Sequence, residues 1–338
     1  MKKVVVIGGG TGVFTVLSGL KVYPYKLSAI VSMADDGGST GALREEFGIL
    51  PPGDIRRALI ALSSVDNKIL SELFNFRFEE GSSLKGHSLG NLLITALERI
   101  TGNFRDAVYE ATKILNVKGE VVPVTLTPTR LAAELENGEI IKGETNIDIP
   151  KHDGKLHIKK LYLKPEVSAN PDAISTIEHA DTIILGPGDL YTSIIPNLLV
   201  KGIVPAIKAS KAKKIYVVNI MTKLGETYGF CASDFLTTLE HYLGKNIIDY
   251  CVINIQHPKP DLLLKYQREK YDFVKFDKNN FKNGNVKVVT GSFLRRGTFL
   301  RHDPKKLADS LSKIINKRNI NLLKTSTKWI QNSRFIKS

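Results

Sequence analysis

The chain has 338 residues, 42% hydrophobic and 24% charged, the proportions of a soluble globular protein with room for one large or two smaller α/β cores. No apolar run reaches the length that crosses a bilayer, so membrane insertion is not expected; the first residues read as a strand, not a secretory signal, and a cytoplasmic location is expected. The formal charge of +14 admits a nucleic-acid partner, but no nucleic-acid-binding motif accompanies it. A solvated basic surface, a phosphorylated metabolite or an acidic partner suits it better.

In chain order, Lys3–Ile7 reads as a buried strand, Thr11–Lys21 as the helix after it, and Leu27–Met33 as a second strand. Ala34–Gly53 is polar and glycine-rich and reads as a long connection. Pro51-Pro52-Gly53-Asp54 starts a helix, with Asp54 as its N-cap. Helical periodicity continues through Ile69–Phe78, Leu89–Ile100 and Phe104–Leu115, with Ser88 or His87 capping the helix from Leu89. Val121–Leu126 is a short strand, and Leu131–Lys142 is a hairpin turning at Asn137-Gly138. Leu156–Leu163 alternates as a strand, and Pro171–Glu178 is a helix. Thr182–Leu185, Ile215–Ile220, Ile248–Ile253 and Val286–Val289 are further strands. Strands alternating with helices predict an α/β fold with a doubly wound, mostly parallel sheet. Residues 1–310 are expected to form one domain, with a helical cap at about 54–117 and a hairpin insert at about 129–163. Residues 311–338 read as a basic tail, and the lysines at 208, 211, 213 and 214 as solvated strand and helix ends. Cys231 and Cys251 have no metal-ligand spacing, which fits a reducing compartment.

Gly8–Gly12 follows the first strand, but it is a broken dinucleotide fingerprint: from Gly8 and Gly10 the sixth position is Val13, and from Gly10 and Gly12 it is Thr15. A plain tight turn is therefore an alternative. Four small, polar loops follow apolar runs: Gly8–Gly12, Ala34–Gly41, Gly186–Asp189 and Asn219–Thr222. In an open parallel sheet they share the carboxyl edge, where ligands bind, and a glycine turn leading into a helix can cradle phosphate. Asn219 offers a donor and an acceptor, and Thr222 and Tyr191 offer hydroxyls. Asp35, Asp36 and Asp54 together can hold a divalent cation such as magnesium that also takes phosphate oxygens; singly, they read as turn formers and a helix cap. His87, beside glycines before a helix, either greets a phosphate or bonds locally. Asp303 either orients His302 or caps the helix from Pro304. The P-loop pattern, a zinc motif and a nucleophile elbow are absent from the sequence.

Six motifs occur in order: Gly8–Gly12, Ala34–Gly41, Pro51–Arg56, Gly86–Asn91, Gly186–Ser193 and Asn219–Thr222. With them the chain, from residue 1 to about 310, resembles the bacterial gluconeogenesis factor family, which belongs with the 2-phospho-L-lactate transferases of deazaflavin coenzyme synthesis. The resemblance implies a Rossmann-like fold with a helical cap, a cytoplasmic location and a nucleotide-linked ligand. It implies a role in cell shape and envelope growth on gluconeogenic carbon sources, with binding of UDP-sugars such as UDP-N-acetylglucosamine. The transferase relatives imply a nucleotide-activated phospholactate and magnesium held by carboxylates of the Asp-Asp type. Carried onto this chain, Gly10, Thr11, Gly12, Asn219, Thr222 and Arg301 become nucleotide-sugar contacts, and Asp36 and Asp54 metal ligands. Gly9, Gly37, His87, Asn91, Gly188 and Asp189 complete the ligand-binding set. One departure stands out: Lys223-Leu224 precede Gly225-Glu226-Thr227 where the family pattern has Gln-Pro. Two function classes remain open, a UDP-sugar-binding regulator acting through an unidentified protein partner and a magnesium-dependent transferase; a homodimer is open as well.

Overall fold

A computed structural model describes residues 1–64, 68–81, 83–282 and 284–317. Seven parallel strands form the main sheet: β1 (Lys2–Gly8), β2 (Tyr25–Val31), β3 (Glu120–Pro123), β7 (Thr182–Leu185), β8 (Lys213–Val217), β9 (Tyr250–Asn254) and β10 (Lys287–Gly291). Their spatial order is β10-β9-β8-β7-β1-β2-β3. The central strand β1 pairs Val4 with Leu27 on one side and with Thr182 on the other. Val4–Ile7 and Thr182–Leu185 are buried throughout, which is why both segments read as continuous apolar runs without alternation. The chain runs outward from β1 to β2 and β3, then returns to β7 on the other side of β1. The switch point, where a doubly wound sheet opens its crevice, therefore lies between β1 and β7. This is a Rossmann-like α/β fold.

Between β3 and β7 the chain forms a small antiparallel sheet in the order β5-β4-β6, from β4 (Arg130–Leu135), β5 (Ile140–Lys142) and β6 (Ile158–Lys164). The hairpin does turn at Asn137-Gly138, but with a three-residue loop: the Leu135 N–H donates to the Glu139 carbonyl, and Gly138 takes the left-handed conformation (φ +87°).

Three local expectations change. Ala34–Gly53 is not irregular: Gly38–Phe47 is a helix, closed by left-handed Gly48 (φ 68°). Its Arg44 is buried, and its guanidinium donates to the carbonyls of Asp35 (2.7 Å) and Thr129 (2.6 Å), so the helix clamps the turn after β2. The helix read as starting after Asp54 starts at Pro52, because proline favours the first turn, and Asp54 falls inside that turn with no capping bond. Ser88 holds the N-cap position of the helix Leu89–Thr101 without a side-chain cap bond, and its hydroxyl donates to the Phe74 carbonyl instead (3.3 Å).

The boundary at 311 also shifts. Asp303 caps the helix Pro304–Asn316 by accepting from the Lys306 N–H (3.0 Å), and Leu311, Ile314 and Ile315 on that helix are buried. The buried Lys213 ammonium donates to the Ile314 carbonyl at 2.6 Å and Lys2 to the Ile315 carbonyl at 2.6 Å, which satisfies and neutralises the helix's C-terminal end. Lys213 and Lys214 are thus buried groups, not solvated ones. The rest of the basic tail, 318–338, lies outside the described residues. Among the described residues no helix is long and apolar enough to cross a membrane.

The C-terminal helix packs on the helix Gly10–Leu20 at Gly19, where an added Cβ would stand 2.2 Å from the Pro304 carbonyl oxygen and 2.8 Å from the Ala308 Cβ. Gly19→Val is therefore expected to lower the unfolding free energy by roughly 1–3 kcal/mol, as overpacking does. Urea denaturation checks this, and an unchanged midpoint would contradict the packing.

Candidate functional site

A cavity of about 880 Å³ opens at the carboxyl ends of the parallel strands. Its floor is the switch point. The loop after β1, Gly9–Gly12, and the loop after β7, Pro187–Asp189, press together: a Cβ on Gly12 would lie 1.8 Å from the Pro187 carbonyl oxygen. Only glycine permits this approach. Gly10 has φ +61°, another position that glycine alone takes cheaply. Gly9, Gly10, Thr11 and Gly12 line the cavity at the start of the helix Gly10–Leu20. That helix start has no side-chain cap and no acidic residue in its first turn, so its N–H groups face the cavity without a competing anion from the helix itself.

The loop after β8 closes the same floor. Asn219 Oδ1 accepts from the Gly188 N–H (3.0 Å), and Asn219 Nδ2 donates to Asp189 Oδ1 (3.4 Å). Asn219 lines the cavity, but most of its hydrogen-bonding capacity already ties two loops together. Thr222 also lines it; its N–H donates to the Asp272 carbonyl (2.7 Å) and its hydroxyl accepts from the Asp272 N–H (3.0 Å), which leaves the hydroxyl proton to give. Tyr191 lies elsewhere: it is buried, and its hydroxyl is bonded to Thr238.

The loop after the second strand splits its two aspartates. Asp36 does not line the cavity. Its Oδ1 accepts from the Thr145 N–H and hydroxyl (both 2.9 Å), its Oδ2 accepts from the Glu144 N–H (3.2 Å), and Arg130 lies 3.6 Å away. Asp36 thus satisfies the start of the helix Glu144–Asp148 and pins the insert to the sheet. Asp35 is the carboxylate that faces the cavity, together with Asp54 and Gly37. Two glycines clear space for this pair. A Cβ on Gly53 would meet Asp35 Oδ2 at 2.8 Å, and one on Gly9 would meet Asp54 Oδ2 at 2.4 Å. Burial and the neighbouring Asp35 charge push Asp54 up to about 6, against Arg57, the Gly10 N–H and Arg56. Burial raises Asp35 too, opposed by its bonds from Gly37 and Thr40. Glu144, on the same side of the cavity, is pushed up to about 9 by burial and by Asp35, Asp148, Asp36 and Glu226.

His87 also stands outside the cavity lining; its Nδ1 lies 3.2 Å from the Ser39 hydroxyl, which does line it. Asn91 lines the wall and is buried, accepting from Arg56 Nε (2.9 Å) and donating to Ser39 (3.2 Å). Arg56, Arg57 and Arg77 make this wall basic. Arg301 lines the cavity too, as do Tyr266, Tyr271 and Phe299. Its guanidinium lies 5.3 Å from the Phe299 ring centre. Asp303, its nearest acidic neighbour in sequence, is occupied as a helix cap.

A family model described as 2-phospho-L-lactate transferase CofD matches residues 4–294. The chain belongs to the CofD family. Curated members similar to it include the gluconeogenesis factors of Halalkalibacterium halodurans, 43% identical and covering 92% of this chain and 95% of that protein, and of Bacillus subtilis, 42% identical over 91% and 96%. The crystal structure of a UPF0052 family member from Bacillus halodurans superposes with a TM-score of 0.87 at 41% identity, covering 92% of this chain and 98% of that one. The similarity extends over nearly the whole of each chain.

The raised Asp54 carboxyl makes a pH prediction. Its folded value lies about two units above the unfolded value, so the folded state binds the extra proton between the two. The stability that this proton confers is present below about pH 4 and lost as the pH rises through about 6. Asp54→Asn is expected to be more stable than the wild type near pH 7 by about 1–3 kcal/mol, with the gap closing toward about pH 4. Thermal melts across that range measure it, and a pH-independent gap would contradict the assignment.

Proposed function

We propose that this chain is a nucleotide-sugar-binding regulatory protein, a gluconeogenesis factor that takes a ligand of the UDP-N-acetylglucosamine class and serves cell shape and envelope growth through a protein partner in the cytoplasm. The observation that carries the reading is that a glycine-loop helix start without a side-chain N-cap and the Arg301 guanidinium line the same 880 Å³ cavity. The loop and helix N–H groups suit a diphosphate, and a planar guanidinium binds phosphate oxygens in pairs. The aromatic groups around Arg301 suit a base or sugar face. The names of the curated relatives support the general role.

A second reading, a magnesium-dependent transferase that moves a phosphometabolite from a nucleoside-diphosphate donor, is favoured by the carboxylates beside the glycine loop. Asp35 and Asp54 are hard oxygen donors facing the cavity, in space cleared by two glycines and next to a basic wall fit for a second anion. These residues fit magnesium, which takes one or two carboxylates and fills its other positions with phosphate oxygens and water. Asp35 and Asp54, in place of Asp36 and Asp54, would hold it. When bound it would neutralise phosphate charge; Arg56 and Arg57 would orient the second anion.

Calorimetry with UDP-N-acetylglucosamine, with and without magnesium, tests both readings. Tight binding without release of UMP is expected; steady turnover that releases UMP, as transfer of the sugar-phosphate half would, would move the assignment to the transferase. Arg301→Ala is expected to weaken binding at least tenfold, about 1.4 kcal/mol, with little change in the apo melting temperature. An unchanged dissociation constant would remove Arg301 from the site. Asp35→Asn is expected to abolish any magnesium-dependent part of the affinity. Asp36→Asn is instead expected to leave that part intact and to lower stability by roughly 1.5–3 kcal/mol, through lost charge-assisted bonds to the insert.

A further inference from the structure

Beside the glycine loops a second group of carboxylates converges. Asp148 ends the short helix of the insert, Asp189 follows Gly188 in the loop after β7, and Glu226 follows the loop after β8. One oxygen from each lies within 4.8 Å of the others. Oxygens on opposite sides of a bound magnesium or calcium ion are spaced by roughly 4–5 Å, so the three have the spacing of a cation's ligands. Their centre holds a side chain of this chain. Lys223 Nζ is hydrogen-bonded to Asp148 Oδ1 and lies 3.2 Å from Asp189 Oδ2 and 3.6 Å from Glu226 Oε1.

We propose that Lys223 is a built-in cation: its ammonium fills the space that a divalent ion would take between Asp148, Asp189 and Glu226, so that this wall of the cavity meets an anionic ligand without recruiting a metal. The proposal goes beyond the nucleotide-sugar reading and does not depend on which ligand the cavity takes.

The environment supports a charged, held ammonium. The Lys223 side chain is 12% exposed and that of Glu226 is 1% exposed, so this is not a solvated surface pair of little value. Burial acts to lower Lys223, but Asp189, Glu226 and Asp148 outweigh it and keep the ammonium protonated. A lysine ammonium is compact; here it donates to Asp148 and Asp189 and stands 3.6 Å from Glu226 as an ion-pair partner. Glu226 cannot turn away, because its other bonds are fixed: Oε2 accepts from the Tyr191 N–H (3.1 Å) and Oε1 from the Thr192 hydroxyl (3.1 Å). Without the ammonium, three carboxylates this close would not all stay ionised; one would take a proton or the group would take a cation. Asp189 directly follows Gly188, so its charge sits where a phosphate would approach the loop. Lys223 offsets that charge and at the same time ties the insert to two loops of the sheet, which makes it a positioning residue of the floor.

The test uses the full chain and Mn²⁺ alone, with no nucleotide, so its failure is independent of any failure to bind UDP-sugars. Free Mn²⁺ is followed by electron paramagnetic resonance during titration. Lys223→Gln is expected to bind one more Mn²⁺ per chain than the wild type, and adding Asp189→Asn is expected to remove the gain. Lys223→Arg, which keeps the charge, is expected to match the wild type. Any site at Asp35 and Asp54 is common to all these variants and cancels in the difference. Equal Mn²⁺ counts for wild type and Lys223→Gln would overturn the proposal, as would a loss of Mn²⁺ from the wild type on Asp189→Asn. If Lys223→Gln does not fold, reductive methylation of wild-type lysines, read by peptide mass spectrometry, decides. Lys223 is expected to react at least tenfold more slowly than the exposed Lys151, with or without Mn²⁺. Rapid methylation of Lys223, or methylation accelerated by Mn²⁺, would show that the ammonium is free or displaceable and would overturn the proposal.

Discussion

The cavity depends on one close approach of backbone to backbone. Gly12, in the first turn after β1, lies against the Pro187 carbonyl with no room for a Cβ. That contact exists because β1 and β7 are neighbours at the switch point, where the chain leaves in opposite directions and their loops would otherwise diverge. The contact also aligns the helix Gly10–Leu20, whose first N–H groups carry partial positive charge at the floor, the Gly10 N–H being held by Asp54. Asn219 adds the loop after β8 to the same unit through Gly188 and Asp189. Asn197, from the short helix Ile195–Leu198, adds a link to β1 by donating to the Gly8 carbonyl at 3.4 Å. The floor is thus a set of mutually braced backbone turns, and the side chains around it are placed by that bracing.

A protein with a net charge of +14 nevertheless lines its cavity with carboxylates. Part of the resolution is that they are not all charged. Glu144, raised to about 9 by burial and by the carboxylates around it, is protonated at neutral pH, and Glu226 is compensated by the Lys223 ammonium 3.6 Å away. Part of it is that the positive excess is used elsewhere, as with Lys2 and Lys213 on the C-terminal helix. The arginines at the cavity are held by bonds suited to orientation: Arg56 is buried, with its Nε on Asn91 and its Nη1 on the Phe74 carbonyl at 3.1 Å.

The sheet was legible because strands buried on both faces must be apolar at every position, so Val4–Ile7 and Thr182–Leu185 announce themselves. The convergence of four strand-end loops on one cavity followed from parallel topology alone. What was not legible turned on single-residue phase or on distance along the chain. Whether Asp35 or Asp36 faces the cavity depends on the turn's dihedral angles and on an insert more than a hundred residues away, whose Glu144 and Thr145 N–H groups claim Asp36. The helix Gly38–Phe47 has little apolar content to give it a period, and it is fixed by Arg44 reaching the Thr129 carbonyl, a contact no local window contains. Asp54 is not the cap because Pro52 moves the helix start three residues upstream of Ile55. Glu144 and Asp148 are brought to the cavity by the insert, and only the fold reveals it. Lys223 was visible as a departure from the family pattern, yet its meaning depends on three carboxylates drawn from separate segments.

The two carboxylate groups differ in how their burial is compensated, and that difference says where binding energy is available. Around Lys223 the compensation is internal: the cation is covalently part of the chain, its position is fixed by folding, and a ligand arriving there finds little unpaired charge to relieve. Around Asp35 and Asp54 it is incomplete. Asp54 is raised by burial and by Asp35, and Arg57, its ion-pair partner at 3.3 Å, has a side chain 40% exposed and so offers a screened interaction. A cation or a donor group placed beside these carboxylates would relieve a cost the folded protein already carries, and by linkage anything that binds the folded state in this way also stabilises it. One wall is thereby suited to hold the floor rigid and the other to respond to a ligand, with the glycine loop and its helix between them. Such an arrangement fits a protein that reports the presence of a phosphorylated ligand as well as one that acts on it. The distinction between the two rests on whether a second anion is held against Arg56 and Arg57 at the same time as the first is held against Gly10–Gly12.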